Sequence, residues 1–127
     1  MLEALSRLKC GTTRLFTAEN VCGLKGAGGM CAPWEPEPPE AMELRQGASP
    51  MRGAARELGQ KWKVRPFFEL PGSAAATLVD FAGSGAVTHI WLTMPDNHLR
   101  DTILRMYWDG EAEPSVECPA GDFFCQP

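Results

Sequence analysis

An all-β fold of the sandwich type is the architecture this sequence predicts, and three observations carry the prediction. Apolar and polar residues alternate with period two over several stretches of the second half. Those stretches are separated by short runs of Gly, Pro, Asp and Asn, the residues of tight turns. Thirteen glycines and eleven prolines in 127 residues favour many short strands over long helices.

The first element is expected to be helical. In "MLEALSRLKCG", Leu2, Leu5 and Leu8 fall at i, i+3 and i+6, the spacing of one short amphipathic helix. Glu3 and Arg7 interrupt the leucines, so the segment lacks the unbroken apolar region of a secretory signal. "TRLFTAENVCGLKGAGGM" follows as a short extended piece entering a glycine-rich loop. The Pro- and Glu-rich run after it has little periodicity, and residues 32–58 read as a long solvated loop insertion. Glu35, Glu37, Glu40 and Glu43 there form a charged surface, because so loose a loop does not fix carboxylates for acid–base work.

From Lys61 the pattern changes. Trp62, Val64, Pro66, Phe68 and Leu70 alternate with Lys61, Lys63, Arg65 and Glu69 in "KWKVRPFFEL", with only Phe67 breaking the pattern, a half-buried strand that Pro66 assigns to an edge or a bulge. "AATLVDF" (75–81) is a second candidate strand. "AVTHIWLTM" (86–94) is the most strand-like stretch, with Ile90, Leu92 and Met94 on one face and Val87, His89, Trp91 and Thr93 on the other. "PDNH" has turn chemistry, and "LRDTILRMYWD" with "SVECP" makes a hairpin around Asp109-Gly110, with Glu111 to Pro114 lengthening its loop. The count is five or six strands, whereas a jelly roll uses eight, so the expected sandwich is an incomplete one within a single domain, residues 1–127.

Composition excludes several functions. A net charge of −4 does not suit a phosphate backbone, so no nucleic acid is expected as a partner. No apolar run approaches the roughly 20 residues of a membrane-spanning helix. The five cysteines form no CxxC pair and the histidines stand nine apart, so no metal is expected. Thiols without a secretory signal fit a reducing cytoplasm. "VDFAGSGAV" and "GLKGAGG" resemble nucleotide loops only superficially. The first runs into a strand pattern where a helix is needed, and the second lacks a closing Gly-Lys-Ser/Thr. Neither histidine has a sequence relation to a cysteine that would mark a thiol nucleophile.

Aromatic rings next to carboxylates remain. Sugar sites use this combination, rings covering the C–H faces and carboxylates or amides fixing the hydroxyls. Trp62, Trp91, Tyr107, Trp108, Phe123 and Phe124 supply rings, and Glu19, Asp109, Glu117 and Asp122 supply acids. In a sandwich most such rings are core.

Several ordered blocks resemble the N-terminal part of glycoside hydrolase family 172: "AENVCGLKGAGG" (18–29), "THIWLTM" (88–94), "LRMYWDGE" (104–111) and "PSVECPAGDFF" (114–124). The resemblance implies a jelly-roll hydrolase of fructofuranosides or related oligosaccharides, assembled as trimers or multiples of trimers, with no metal or organic cofactor. It also implies catalytic glutamates downstream of the "GDFF" block, so no catalytic residue is assigned and the isolated chain is expected to be inactive. Glu19 and Asn20, in the block matching the family's Glu-Asn segment, and Asp122, in its Gly-Asp-Phe-Phe segment, are the expected substrate-binding or site-supporting positions, with Trp62 as a further ring. The chain departs from the family at Val21-Cys22, where Pro-Thr is usual, and after Phe124, where Gly is usual. The competing expectation is a β-sandwich that binds carbohydrate or serves assembly without catalysis.

Overall fold

The computed structural model describes residues 11–32, 36–37, 39–46 and 48–126. The expected helix over Leu2, Leu5 and Leu8 lies outside the described residues. The chain divides into two compact units, Met1–Gly83 and Ser84–Pro127. Few of the described residues are helical, and among them each unit contains one two-stranded antiparallel sheet.

In the first unit, α1 (Pro39–Arg45) leads to β1 (Ser49–Met51), which pairs with β2 (Phe67–Glu69) in the register Ser49 to Glu69 and Met51 to Phe67. Helix α1 lies inside the stretch expected to be an irregular loop. Pro39 suits a first helical turn because its missing N–H has no intrahelical partner there, and Glu40 and Arg45 complement the helix dipole at its two ends. Ala41, Arg45 and Ala48 are buried and Leu44 is half-buried, a spacing of i, i+3, i+4, i+7. The core is made of small residues, Cys31, Ala32, Ala41, Ala48 and Val64 in this unit and Ala120 in the other.

Strand β2 is much shorter than the alternation over 61–70 predicts. Pro66 offers no donor, and the backbone before it is already bound to loops. The Lys61 N–H donates to the Gly29 carbonyl, the Gly53 N–H to the Val64 carbonyl (2.7 Å), and the Arg65 N–H to the Glu19 carboxylate. Residues 75–81 also enter no ladder, and the Thr77 N–H goes instead to the Leu44 carbonyl at the end of α1 (2.7 Å).

The second unit contains the predicted hairpin. Strands β3 (Ile103–Met106) and β4 (Val116–Pro119) pair antiparallel, with Arg105 opposite Glu117 and their side chains joined at 2.5 Å. That carboxylate raises the guanidinium further above its ordinary range. Asp109 and Gly110 both have positive φ (48° and 79°), and the Glu111 N–H closes the turn on the Trp108 carbonyl at 2.9 Å. The Glu111 carboxylate accepts from Ser115 Oγ (2.6 Å) and the Trp108 N–H (3.2 Å), bonds that hold its carboxyl below the usual range. Their contribution is therefore present at neutral pH and is lost as pH falls through that lowered value.

Contrary to the expectation of aromatic core, Tyr107, Trp108, Phe123 and Phe124 are all exposed, because no second sheet of described residues lies over this hairpin within the unit. Residues 86–94 form no strand among the described residues either.

A single turn of helix, α2 (Ala120–Phe123), follows β4 directly. Gly121 sits where that turn folds back: its N–H donates to the Leu99 carbonyl and its carbonyl accepts from the Gln126 N–H, both at 2.8 Å. A Cβ at 121 would overlap the Gln126 carbonyl oxygen and crowd Leu99 Cβ at 3.1 Å. Gly121→Ala is expected to destabilise the unit by about 1–3 kcal/mol, since backbone must shift to admit the methyl. Thermal melts by circular dichroism check this against Gly72→Ala, where a Cβ meets nothing within 4 Å and the melt should move little.

Candidate functional site

Two arrangements bring together residues with chemistry to offer, one in each unit. In the first, a tight bridge joins Thr17 and Asn20 through reciprocal backbone bonds of 3.1 and 3.2 Å. Thr17 Oγ1 accepts from the backbone N–H groups of Glu19 and Asn20, so the hydroxyl of the first residue caps the turn it starts. Asn20 is only 5 % exposed, and both of its amide hydrogens are engaged: Nδ2 donates to the carbonyls of Leu15 (3.0 Å) and Leu24 (3.1 Å). Its Oδ1 accepts the Leu24 N–H at 2.9 Å. This side chain therefore ties the start of the glycine-rich loop to the strand-like piece before it.

Glu19 projects from the same turn and accepts the Arg65 N–H, which links it to the segment leading into β2. The Arg65 guanidinium reaches Cys31 Sγ from Nε (2.9 Å) and Nη2 (2.6 Å). Trp62 is joined less directly. Gly29 and Met30 of the glycine loop bind the turn that precedes it, through the Lys61 N–H and Gln60 Nε2 (3.0 Å), and its ring is 54 % exposed. Glu19, Asn20 and Trp62 thus lie within one unit, with Trp62 following residues that are bonded to the glycine loop. Asp122 belongs to the other unit, where its carboxylate pairs with Arg100 at 2.5 Å on the surface.

The second arrangement is an open cleft of about 550 Å³ in Ser84–Pro127. Residues 85–90, including Thr88 and His89, line it together with Met106, Trp108, Phe123 and Phe124. The rings of Phe123 and Phe124 meet edge to face, with centroids 5.1 Å apart and planes at 84°. The cleft is wide open to solvent, and its lining is apolar with a few polar groups. No carboxylate is among the lining residues. Of the residues forming this cleft, the ring-bearing ones are legible in sequence, whereas the contribution of 85–90 is not.

Arg45 is the functional-looking residue that sequence reading passes over. It is 2 % exposed, binds the Glu37 carboxylate and the Ala18 carbonyl, and lies 5.6 Å over the Phe68 ring. Its signal is the spacing with Ala41, Leu44 and Ala48, which hydropathy hides because position 45 is charged.

Among the described residues no group of three His, Cys, Asp or Glu is placed to hold a metal ion, and no helix is long and apolar enough to cross a membrane. Cys22, Cys31, Cys118 and Cys125 are free thiols. Neither a curated protein nor a solved structure matches the chain. A family profile described as GH172 domain-like matches residues 61–126, which hold β2, the hairpin, the aromatic cleft and Asp122, and amount to just over half of the sequence. The chain belongs to the GH172 domain-like family.

Proposed function

We propose that this chain is part of a glycoside hydrolase-like protein acting on fructofuranosides or related oligosaccharides, with an incomplete jelly-roll fold of the N-terminal kind. The family match over 61–126 is the observation that carries this reading. The exposed rings of the cleft support it, because a furanose presents C–H faces that Trp108, Phe123 and Phe124 can cover while Thr88 and His89 bond its hydroxyls. In this reading Asn20 is a positioning residue and Glu19 and Trp62 are sugar-contacting candidates of the first unit, and Asp122 is a site-supporting candidate of the second. The assembly is a homo-oligomer of trimeric order and the location is cytoplasmic, in keeping with the free thiols.

A second reading is binding without cleavage: glycoside hydrolysis needs a pair of carboxylates, and none lines the cleft among the described residues. The two readings share their first test. Titration of the chain with fructo-oligosaccharides and difructose anhydrides, followed by calorimetry and Trp fluorescence, is expected to show saturable binding. Trp108→Ala should weaken it by roughly 10-fold or more, the usual worth of a stacked ring. Silence toward every fructoside at millimolar concentration would sink the sugar-site assignment. Release of fructose by the chain alone would overturn the placing of the catalytic glutamates downstream.

A further inference from the structure

Arg45 stands where an apolar residue would serve the core. It ends α1 on the stripe that carries Ala41 and Leu44, it is 2 % exposed, and its Nε has no hydrogen-bond partner among the described residues. A buried ion pair adds little net stability over apolar side chains of the same volume, because both ions lose their hydration. What a guanidinium adds is directed N–H groups in a rigid fork. Nη1 is taken by the Glu37 carboxylate, which fixes the fork, and Nη2 donates to the Ala18 carbonyl, 27 residues away in sequence.

That carbonyl belongs to the peptide unit that joins Ala18 to Glu19. The unit is planar, and its other polar group, the Glu19 N–H, donates to Thr17 Oγ1 at 3.3 Å. The next peptide plane is held as well, by the Asn20 N–H on the Thr17 carbonyl at 3.1 Å. With both flanking planes bound, the direction in which Glu19 leaves the backbone is set. At the far end its Oε1 accepts the Arg65 N–H, just ahead of β2. Oε2 has no partner among the described residues. A carboxylate held at both ends has given up its rotamer freedom before any ligand arrives, and its remaining oxygen can only accept a hydrogen bond.

We propose that Arg45 is a positioning residue for Glu19: by holding the Ala18–Glu19 peptide it aims the carboxylate so that one oxygen binds Arg65 and the other is presented to a hydroxyl of the ligand. Glu19 as a sugar contact rests on the function proposed above, whereas its placement by Arg45 requires no ligand.

NMR of the unmodified chain gives the first readout. The Arg65 amide, which belongs to no strand, should be protected from hydrogen exchange, and Glu19→Ala should remove the protection and shift its resonance. Glu37→Gln keeps the bond to Ala18 and breaks the ion pair. It should lower the urea midpoint while the Arg65 resonance and the affinity for fructo-oligosaccharides stay as they were. Arg45→Met with Glu37→Leu should do the reverse, recovering most of the midpoint but moving the Arg65 resonance to its Glu19→Ala position. Fructo-oligosaccharide binding should then weaken by roughly 10-fold, the worth of one hydrogen bond to a charged acceptor.

A purely structural Arg45 would make affinity follow the midpoint in both variants, and that result overturns the proposal. So does an Arg65 resonance unmoved in the double variant, or an Arg65 amide that exchanges freely in the unmodified chain, where no variant has to fold. If the unmodified chain binds no fructo-oligosaccharide while the Arg65 responses are as stated, the sugar role fails and the placement of Glu19 by Arg45 stands.

Discussion

Arg45→Ala is expected to cost about 3–5 kcal/mol of stability, the loss found when one partner of a buried ion pair is removed. The Arg45 side chain is 3 % exposed and that of Glu37 13 %, so water screens the pair little. Truncation leaves the Glu37 carboxylate desolvated without its cation, deprives the Ala18 carbonyl of a donor and uncovers the Phe68 ring. One cost is already present in the unmodified protein, where Arg45 Nε is buried with no hydrogen-bond partner among the described residues. A loss of this size removes much of the stability of an ordinary domain. Urea unfolding followed by circular dichroism measures it, with a fall in midpoint at unchanged slope as the expected form.

The double substitution Arg45→Met with Glu37→Leu decides what the pair is for. Replacing both ions by apolar groups of similar volume removes the desolvation cost together with the attraction, so most of the stability should return. The Ala18 carbonyl would still lack its donor, which sets a residual deficit of about 1 kcal/mol. A double variant as weak as Arg45→Ala would show instead that the bond to Ala18, and with it the placement of the Glu19–Asn20 turn, is what Arg45 contributes.

Legibility from sequence followed how local each cause is. The β3–β4 hairpin was readable because its turn needs two consecutive residues with positive φ, and Asp109-Gly110 supplies them cheaply. Helix α1 was hidden, although Pro39, Glu40 and Arg45 are ordinary terminal signals. Its buried stripe consists of two alanines, a leucine and an arginine, which hydropathy reads as a polar loop. The reverse error occurred at 61–65, 75–81 and 86–94. Period-two alternation reports that a segment fits a half-buried ladder, but not which backbone will pair with it. At 61–65 the donors and acceptors are taken by Gly29, Gly53 and Glu19, contacts 11 to 46 residues away in sequence that no local pattern encodes. The exposed rings have the same origin. Their burial was expected from residue type, whereas burial depends on a facing layer, and none of described residues lies over the hairpin within its unit.

Asn20→Asp should destabilise the chain by about 3 kcal/mol at neutral pH, although the side chain keeps its shape. The substitution removes both amide hydrogens, so the carbonyls of Leu15 and Leu24 lose their donors, and it directs a nearly buried carboxylate at those same two oxygens. Only the bond accepted from the Leu24 N–H survives. Protonation of the new carboxyl returns one donor and removes the repulsion. The folded variant therefore takes up a proton more readily than the unfolded one, and its deficit should shrink as pH falls from 7 to 4. Urea midpoints of both proteins across that range, each variant compared with the parent at the same pH, give the result directly. The same variant tests how Asn20 relates to the proposed sugar site. A brace acts through Glu19 and the loop, so fructoside binding should weaken in step with unfolding and recover under stabilising conditions. Unchanged stability with lost binding would place the amide on the ligand instead, and would require the bonds to Leu15 and Leu24 to be exchanged for sugar hydroxyls when the site fills.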